Sequence, residues 1–126
     1  MNSSQQAHAH LAKATEFLEA AQVSLDIQLF SAATSNAVLA GINAKDAICW
    51  KLNGRTTKAD DHGAAVDELR RAGRVGAELA PSLQRLLKMK TRSQYQSTMV
   101  SASDAASAVE WAQRLVASAK VAVSSS

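Results

Sequence analysis

The chain has 126 residues, 47% of them apolar but only 4% aromatic, and 14 basic against 11 acidic side chains give a net charge of +3. That length suits one domain with a proper core filled by alanine and leucine, and so even a charge balance excludes a densely basic nucleic-acid binder while admitting an anionic partner. One cysteine, Cys49, excludes an internal disulfide and suits a reducing cytoplasm, and no apolar run approaches the roughly 20 residues of a membrane span.

The start, Met1 to Gln6, lacks the basic residues and apolar stretch of a signal peptide. Ser3-Ser4-Gln5-Gln6 reads as a capping box in which two helix-end groups satisfy each other. Ala7, Leu11, Ala14, Leu18, Ala21 and Leu25 then recur at steps of four and three, the stripe of an amphipathic helix running to about Gln28. After a break near Leu29-Phe30-Ser31, a second helix carries the small-residue stripe Ala33, Ala37, Gly41, Ala44 and Ile48. Asn53-Gly54 ends it, glycine being the usual left-handed C-cap.

Arg55 to Ala59 is a polar loop, and Asp60 and Asp61 supply an N-cap for a short third helix, His62 to Ala72. Gly73 and Gly76 mark a turn. Pro81 is expected in the first turn of a fourth helix, where its missing N–H costs little. Leu79, Leu83, Leu86 and Leu87 form the buried face of that helix, which continues into the polar stretch "KMKTRSQYQS". A loop from Gln96 to Ala102 precedes a last helix capped by Ser103-Asp104, with the stripe Ala105, Ala108, Ala112, Leu115, Ala119 and Val123. The expected fold is an all-α, up-and-down bundle of four to five helices. It forms one domain over 1–126, with a core from about 5 to 123 and flexible ends at 1–4 and 124–126.

Phosphate loops, Cys-x-x-Cys pairs and the HExxH pattern are absent. His8 and His10 are two apart and do not share a helix face, so no metal or other cofactor is expected. Cys49 reads as a buried thiol. Asp46 falls on an otherwise apolar side of the second helix, which a lone carboxylate makes costly. It either turns to solvent beside Lys45 or pairs with a cation from another helix, Arg92 being the choice. His62 serves as a cap contact to Asp60 or Asp61, or as a proton donor and ligand contact. Arg92 and Tyr95 lie side by side at a spacing of three. With Arg85, Lys88 and Lys90 they either complement the helix dipole or grip a phosphate.

Four segments together resemble a HEPN domain (higher eukaryotes and prokaryotes nucleotide-binding), over roughly Ala7 to Val121. They are the alanine-rich "SNAVLAGINAKDAICWKLNG", the loop and histidine-bearing helix start "KADDHGAAVDELRRAG", the leucine-rich "LQRLLKMKTRSQYQS", and the capped "SASDAASAVEWAQRLVASA". The resemblance implies a helical bundle that usually dimerises, and a class in which many members are metal-independent RNases of toxin–antitoxin, defence or CRISPR systems. Those nucleases carry an Arg, a polar residue and then a His after a spacer of about four to six residues. Arg92-Ser93 matches the first part, but no histidine follows His62 in this chain. Serine, threonine and methionine do not exchange protons near neutral pH, as imidazole does, and tyrosine's reference pKa near 10 makes Tyr95 a poor base.

The expected function is therefore a non-catalytic or divergent HEPN-like protein with a binding or regulatory role. Asp46, His62, Lys90, Arg92 and Tyr95 are the candidate ligand-binding residues for a nucleotide or RNA. The expected partners are a second copy, favoured also by Trp50 and Trp111 in small-residue helices, and a separately encoded toxin or nucleotidyltransferase. The alternatives are a ribonuclease using Arg92, Tyr95 and His62, and a purely structural interaction bundle.

Overall fold

In a computed structural model the described residues are 1–56, 61–94, 97 and 99–125. Among them are five helices and no strand: α1 Ser3–Asp26, α2 Phe30–Asn53, α3 His62–Arg70, α4 Gly73–Gln94 and α5 Ala102–Ser124. The fold is all-α, as its composition implies, since alanine favours helices and is poor in strands. None of these helices is long and apolar enough to cross a membrane.

Every stripe residue read from α1, α2 and α5 packs into the core, the alanines and Gly41 without reserve, and Leu11, Leu18 and Leu25 of α1 partly. The helices close on one another in an unequal way. α2 meets each of the other four, whereas α1 and α4 do not meet, so α2 and α5 form the short diagonal of the bundle. Small side chains allow this. Gly41 lies where Leu86 of α4 and Leu115 of α5 converge, and a methyl group there would stand only 2.3 Å from Leu86 Cδ2.

Local chemistry explains the helix ends. α1 is capped by Asn2 rather than by the Ser3–Gln6 box: Asn2 Oδ1 accepts from Gln5 N at 2.8 Å, and Asn2 N donates to Gln5 Oε1 at 2.9 Å. Asn2 and Gln5 have the same spacing of three, and asparagine is at least as good a cap as serine. The C-terminal end of α1 is a Schellman turn. Leu29 N donates to Ser24 O at 2.8 Å and Gln28 N to Leu25 O at 3.0 Å, with Gln28 in the left-handed region (φ 64°) where glycine is usual. Gly54 (φ 71°) ends α2 and Asp61 caps α3, both as the sequence implies. The last helix is capped by Ser101, whose hydroxyl accepts from Asp104 N, two residues earlier than expected.

The fourth helix corrects the largest expectation. Its start is Gly73 (φ 68°), not the neighbourhood of Pro81, and it runs through both Gly76 and Pro81. A proline inside a helix removes one backbone hydrogen bond and costs about 3 kcal/mol. The cost is offset because the turns on either side bury Leu79, Ala80, Ser82 and Leu83 against the bundle. Gly76 is not a turn residue but a contact residue. A Cβ there would lie 2.0 Å from the Leu69 carbonyl oxygen and 2.8 Å from Ala72 Cβ, so glycine alone lets α4 fold back against the last turn of α3. Gly76→Ala is expected to destabilise the protein by about 2–3 kcal/mol, an overpacking cost against the Leu69 backbone and the Ala72 methyl group. Chemical denaturation with an unchanged midpoint would refute this account of the α3–α4 turn.

Candidate functional site

The most enclosed charged group in the described structure is Lys45, 3% exposed on the apolar face of α2. Its ammonium donates three hydrogen bonds, to Asp46 Oδ1 at 3.0 Å, Thr56 Oγ1 at 2.8 Å and Glu68 Oε1 at 2.9 Å. That satisfies all three of its protons. The Thr56 hydroxyl lies 2.8 Å from Asp46 Oδ1 and 2.6 Å from Glu68 Oε1. One charged knot thus joins α2, the loop that follows it, and α3. Burial alone would lower the Lys45 pKa, but its hydrogen bond to Glu68 and the charge of Asp46 outweigh it and hold the pKa above 10.5. Cys49, one turn on, has its thiol pushed up to about 12, first by burial, against the pull of Lys45 and with Glu68 and Asp46 adding to the rise. It is a buried, inert thiol, as the sequence implies.

This arrangement corrects the pairing expected of Asp46. The partners of Asp46 are Lys45 and Thr56, with His10 Nδ1 3.9 Å from its second oxygen. Arg92 instead pairs with Asp104 of α5 at 2.8 Å, both side chains well exposed. The reason is register. α2 and α4 run antiparallel, Leu86 lying over Gly41 and Ser93 Oγ 3.3 Å from Ser35 Oγ. Asp46 is eleven residues beyond Ser35, about 16 Å along the helix axis. The cationic end of α4 therefore lies at the start of α2, far from Asp46.

His62 opens α3 and lines a cleft of about 340 Å³ between α3 and α4, together with Gln84, Leu87 and Lys88. Asp67 and Arg70 also line it and are paired with each other at 2.7 Å. Gln84, Lys88 and Arg92 follow one another at steps of four, so this polar stripe runs from the cleft to the Asp104 pair. Lys90 is half-buried and, two residues from both Lys88 and Arg92, lies on the other side of α4, its carbonyl accepting from Ser93 Oγ at 3.2 Å. Tyr95 lies outside the described residues. The structure thus gathers His62 with Lys88 and aligns Arg92 beyond them, while Asp46 belongs to a separate group.

Lys45, Thr56, Glu68 and His10 were missed by sequence reasoning. One signal was present for Lys45. It falls in the ladder Thr34, Val38, Gly41, Lys45, Ile48, whose members are all buried, so its spacing marks a charge on a core face. Nothing local marks the partners, which come from 11 and 23 residues away.

The family profile described as "HEPN domain" matches residues 7–122, nearly the whole chain. A search of curated proteins found no match. The chain belongs to the HEPN domain family.

Two outcomes are expected of the Lys45 knot. Lys45→Met removes the buried cation that faces Asp46 and Glu68 and is expected to cost about 3 kcal/mol at neutral pH, as for other broken buried pairs. Because the folded pKa of Lys45 is raised, its contribution is complete below 10.5 and is lost as pH climbs through the higher folded value. Denaturation curves of the two proteins should therefore converge in strong alkali, and a constant gap would contradict this linkage. Cys49 should resist a disulfide reagent in native buffer and react fully in denaturant; rapid native labelling would show that the thiol is neither buried nor held protonated.

Proposed function

We propose that this HEPN-family chain is a non-catalytic binding protein that holds the phosphates of a nucleotide or RNA along the α3–α4 edge. The observation that carries the reading is the cleft shared by His62 and Lys88, extended one helical turn by Arg92. His62 and Lys88 supply donors from two helices at one opening, and the Arg92 guanidinium offers the fork suited to a phosphate. Lys90, two residues from both Lys88 and Arg92, falls on the other side of α4 and stands apart from this strip. Arg92 is held by Asp104 at the surface, and an exposed pair of this kind is worth no more than about 1 kcal/mol. A phosphate can displace that carboxylate.

A role without turnover follows from the chemistry of the stretch after Arg92-Ser93. No histidine stands there to move a proton. A regulatory role beside a separately encoded toxin or nucleotidyltransferase fits a family member with this gap. Exposed Val23, Ile27 and Leu29 around the α1–α2 turn offer surface for a second copy, whereas Trp50 and Trp111 pack against the protein's own core.

The test is anisotropy of a labelled single-stranded RNA at two salt concentrations. Lys88→Ala with Arg92→Ala should weaken binding about tenfold at low salt. It should also flatten the log–log salt slope by about 1.4, two contacts at about 0.7 each. Asp104→Asn, which frees Arg92, should tighten binding. Equal affinity of all three proteins would remove the α3–α4 edge from consideration, and RNA shortened during the assay would make the protein a ribonuclease instead.

A further inference from the structure

A second cavity, of about 370 Å³, opens between α1 and α2 on the outer side of the Lys45 knot. His10 and Lys13 of α1 line it, with Asp46 and Trp50 of α2 and Thr56 of the loop. Asp46 and Trp50 are four apart on α2 and therefore adjacent on its surface.

The hydrogen-bond network fixes what this cavity offers. Asp46 Oδ1 is taken by Lys45 Nζ and Thr56 Oγ1. Asp46 Oδ2 has no hydrogen-bond partner among the described residues, the His10 ring standing 3.9 Å away. Asn43 Nδ2 donates to Leu39 O at 2.9 Å, which leaves Asn43 Oδ1 as the acceptor 3.1 Å from His10 Nδ1. The His10 proton therefore sits on Nδ1, and in the neutral ring Nε2 carries a lone pair. The cavity thus presents two unused acceptors, one of them anionic, beside the indole of Trp50, whose own buried Nε1–H has no hydrogen-bond partner among the described residues. Lys13 on its rim is an exposed side chain, and Met1, with its α-amino group, also lines the opening.

We propose that this cavity binds a small organic cation, an amine or a planar amidinium or guanidinium, whose N–H groups bond to Asp46 Oδ2 and His10 Nε2. The indole of Trp50 supplies the aromatic wall that such cations favour. Lys45 does not compete for this role. It is 3% exposed and its three protons are committed to Asp46 Oδ1, Thr56 and Glu68, so it fixes the Asp46 carboxylate with its second oxygen turned outward. The site is separate from the phosphate edge and has the opposite preference in charge.

Benzamidine and benzamide are the decisive probes, being nearly the same shape with and without the charge, and agmatine is an aliphatic guanidinium for comparison. Calorimetry and amide NMR on the full chain should show benzamidine and agmatine binding in the millimolar range or tighter. The indole signal of Trp50 and the signals of His10 should shift, and benzamide should bind at least about tenfold more weakly. Asp46→Asn should abolish that discrimination. Because Asp46 also holds Lys45, His10→Phe is the second variant: it keeps an aromatic ring without the ring nitrogens and should weaken benzamidine several-fold. The proposal is overturned if charged and neutral probes bind alike, if neither perturbs His10 or Trp50, or if a folded His10→Phe protein binds benzamidine as the parent does.

Discussion

The bundle depends on how little space α2 takes up. Ala33, Ala37, Ala40, Gly41, Ala44 and Ala47 are fully or almost fully enclosed, and they let a helix with four neighbours sit at the centre of the domain. Each alanine contributes little buried area of its own, so the larger gain comes from the leucines that close over them, Leu86 and Leu115 above Gly41 in particular. The short α2–α5 diagonal follows from the same constraint, because α5 also turns alanines inward.

Lys45 is placed by that geometry, not despite it. A charge on the small face of α2 is surrounded by protein on nearly every side, and it is tolerable only because three acceptors meet its three protons. Two of those acceptors belong to other segments. Glu68 attaches α3 to α2, and Thr56 attaches the loop. α3 otherwise rests chiefly on α4, so the buried ion cluster is what connects the short helix to the central one. The position of His62, at the start of α3, thus depends partly on a lysine in another helix.

The functional surfaces inherit this division. On the α3–α4 side His62, Lys88 and, beyond them, Arg92 in its exposed pair with Asp104 offer donors, beside the Asp67–Arg70 pair. On the α1–α2 side two acceptors are unused, Asp46 Oδ2 and the His10 ring, held outward by bonds made to their other atoms, with the unpartnered Trp50 Nε1–H beside them. The two proposed sites share no lining residue and differ in the sign of the ligand proposed for each. The separation arises because α2 and α4 run antiparallel, which carries the cationic end of α4 to the start of α2.

The all-α class, the inward stripes of α1, α2 and α5, the glycine at the end of α2 and the buried state of Cys49 were legible in the sequence. Each rests on a local rule, a period or a preferred backbone region, that needs no knowledge of neighbours. The start of α4 was not legible, because the helix passes through Pro81 only when flanking leucines are buried and Gly76 lies against α3. The partner of Asp46 was not legible either: a carboxylate's need for a cation is local, but which cation comes near depends on the direction and register of packed helices. His10, Thr56 and Glu68 are ordinary polar residues until three segments converge on Lys45, and convergence is a property of the folded chain alone.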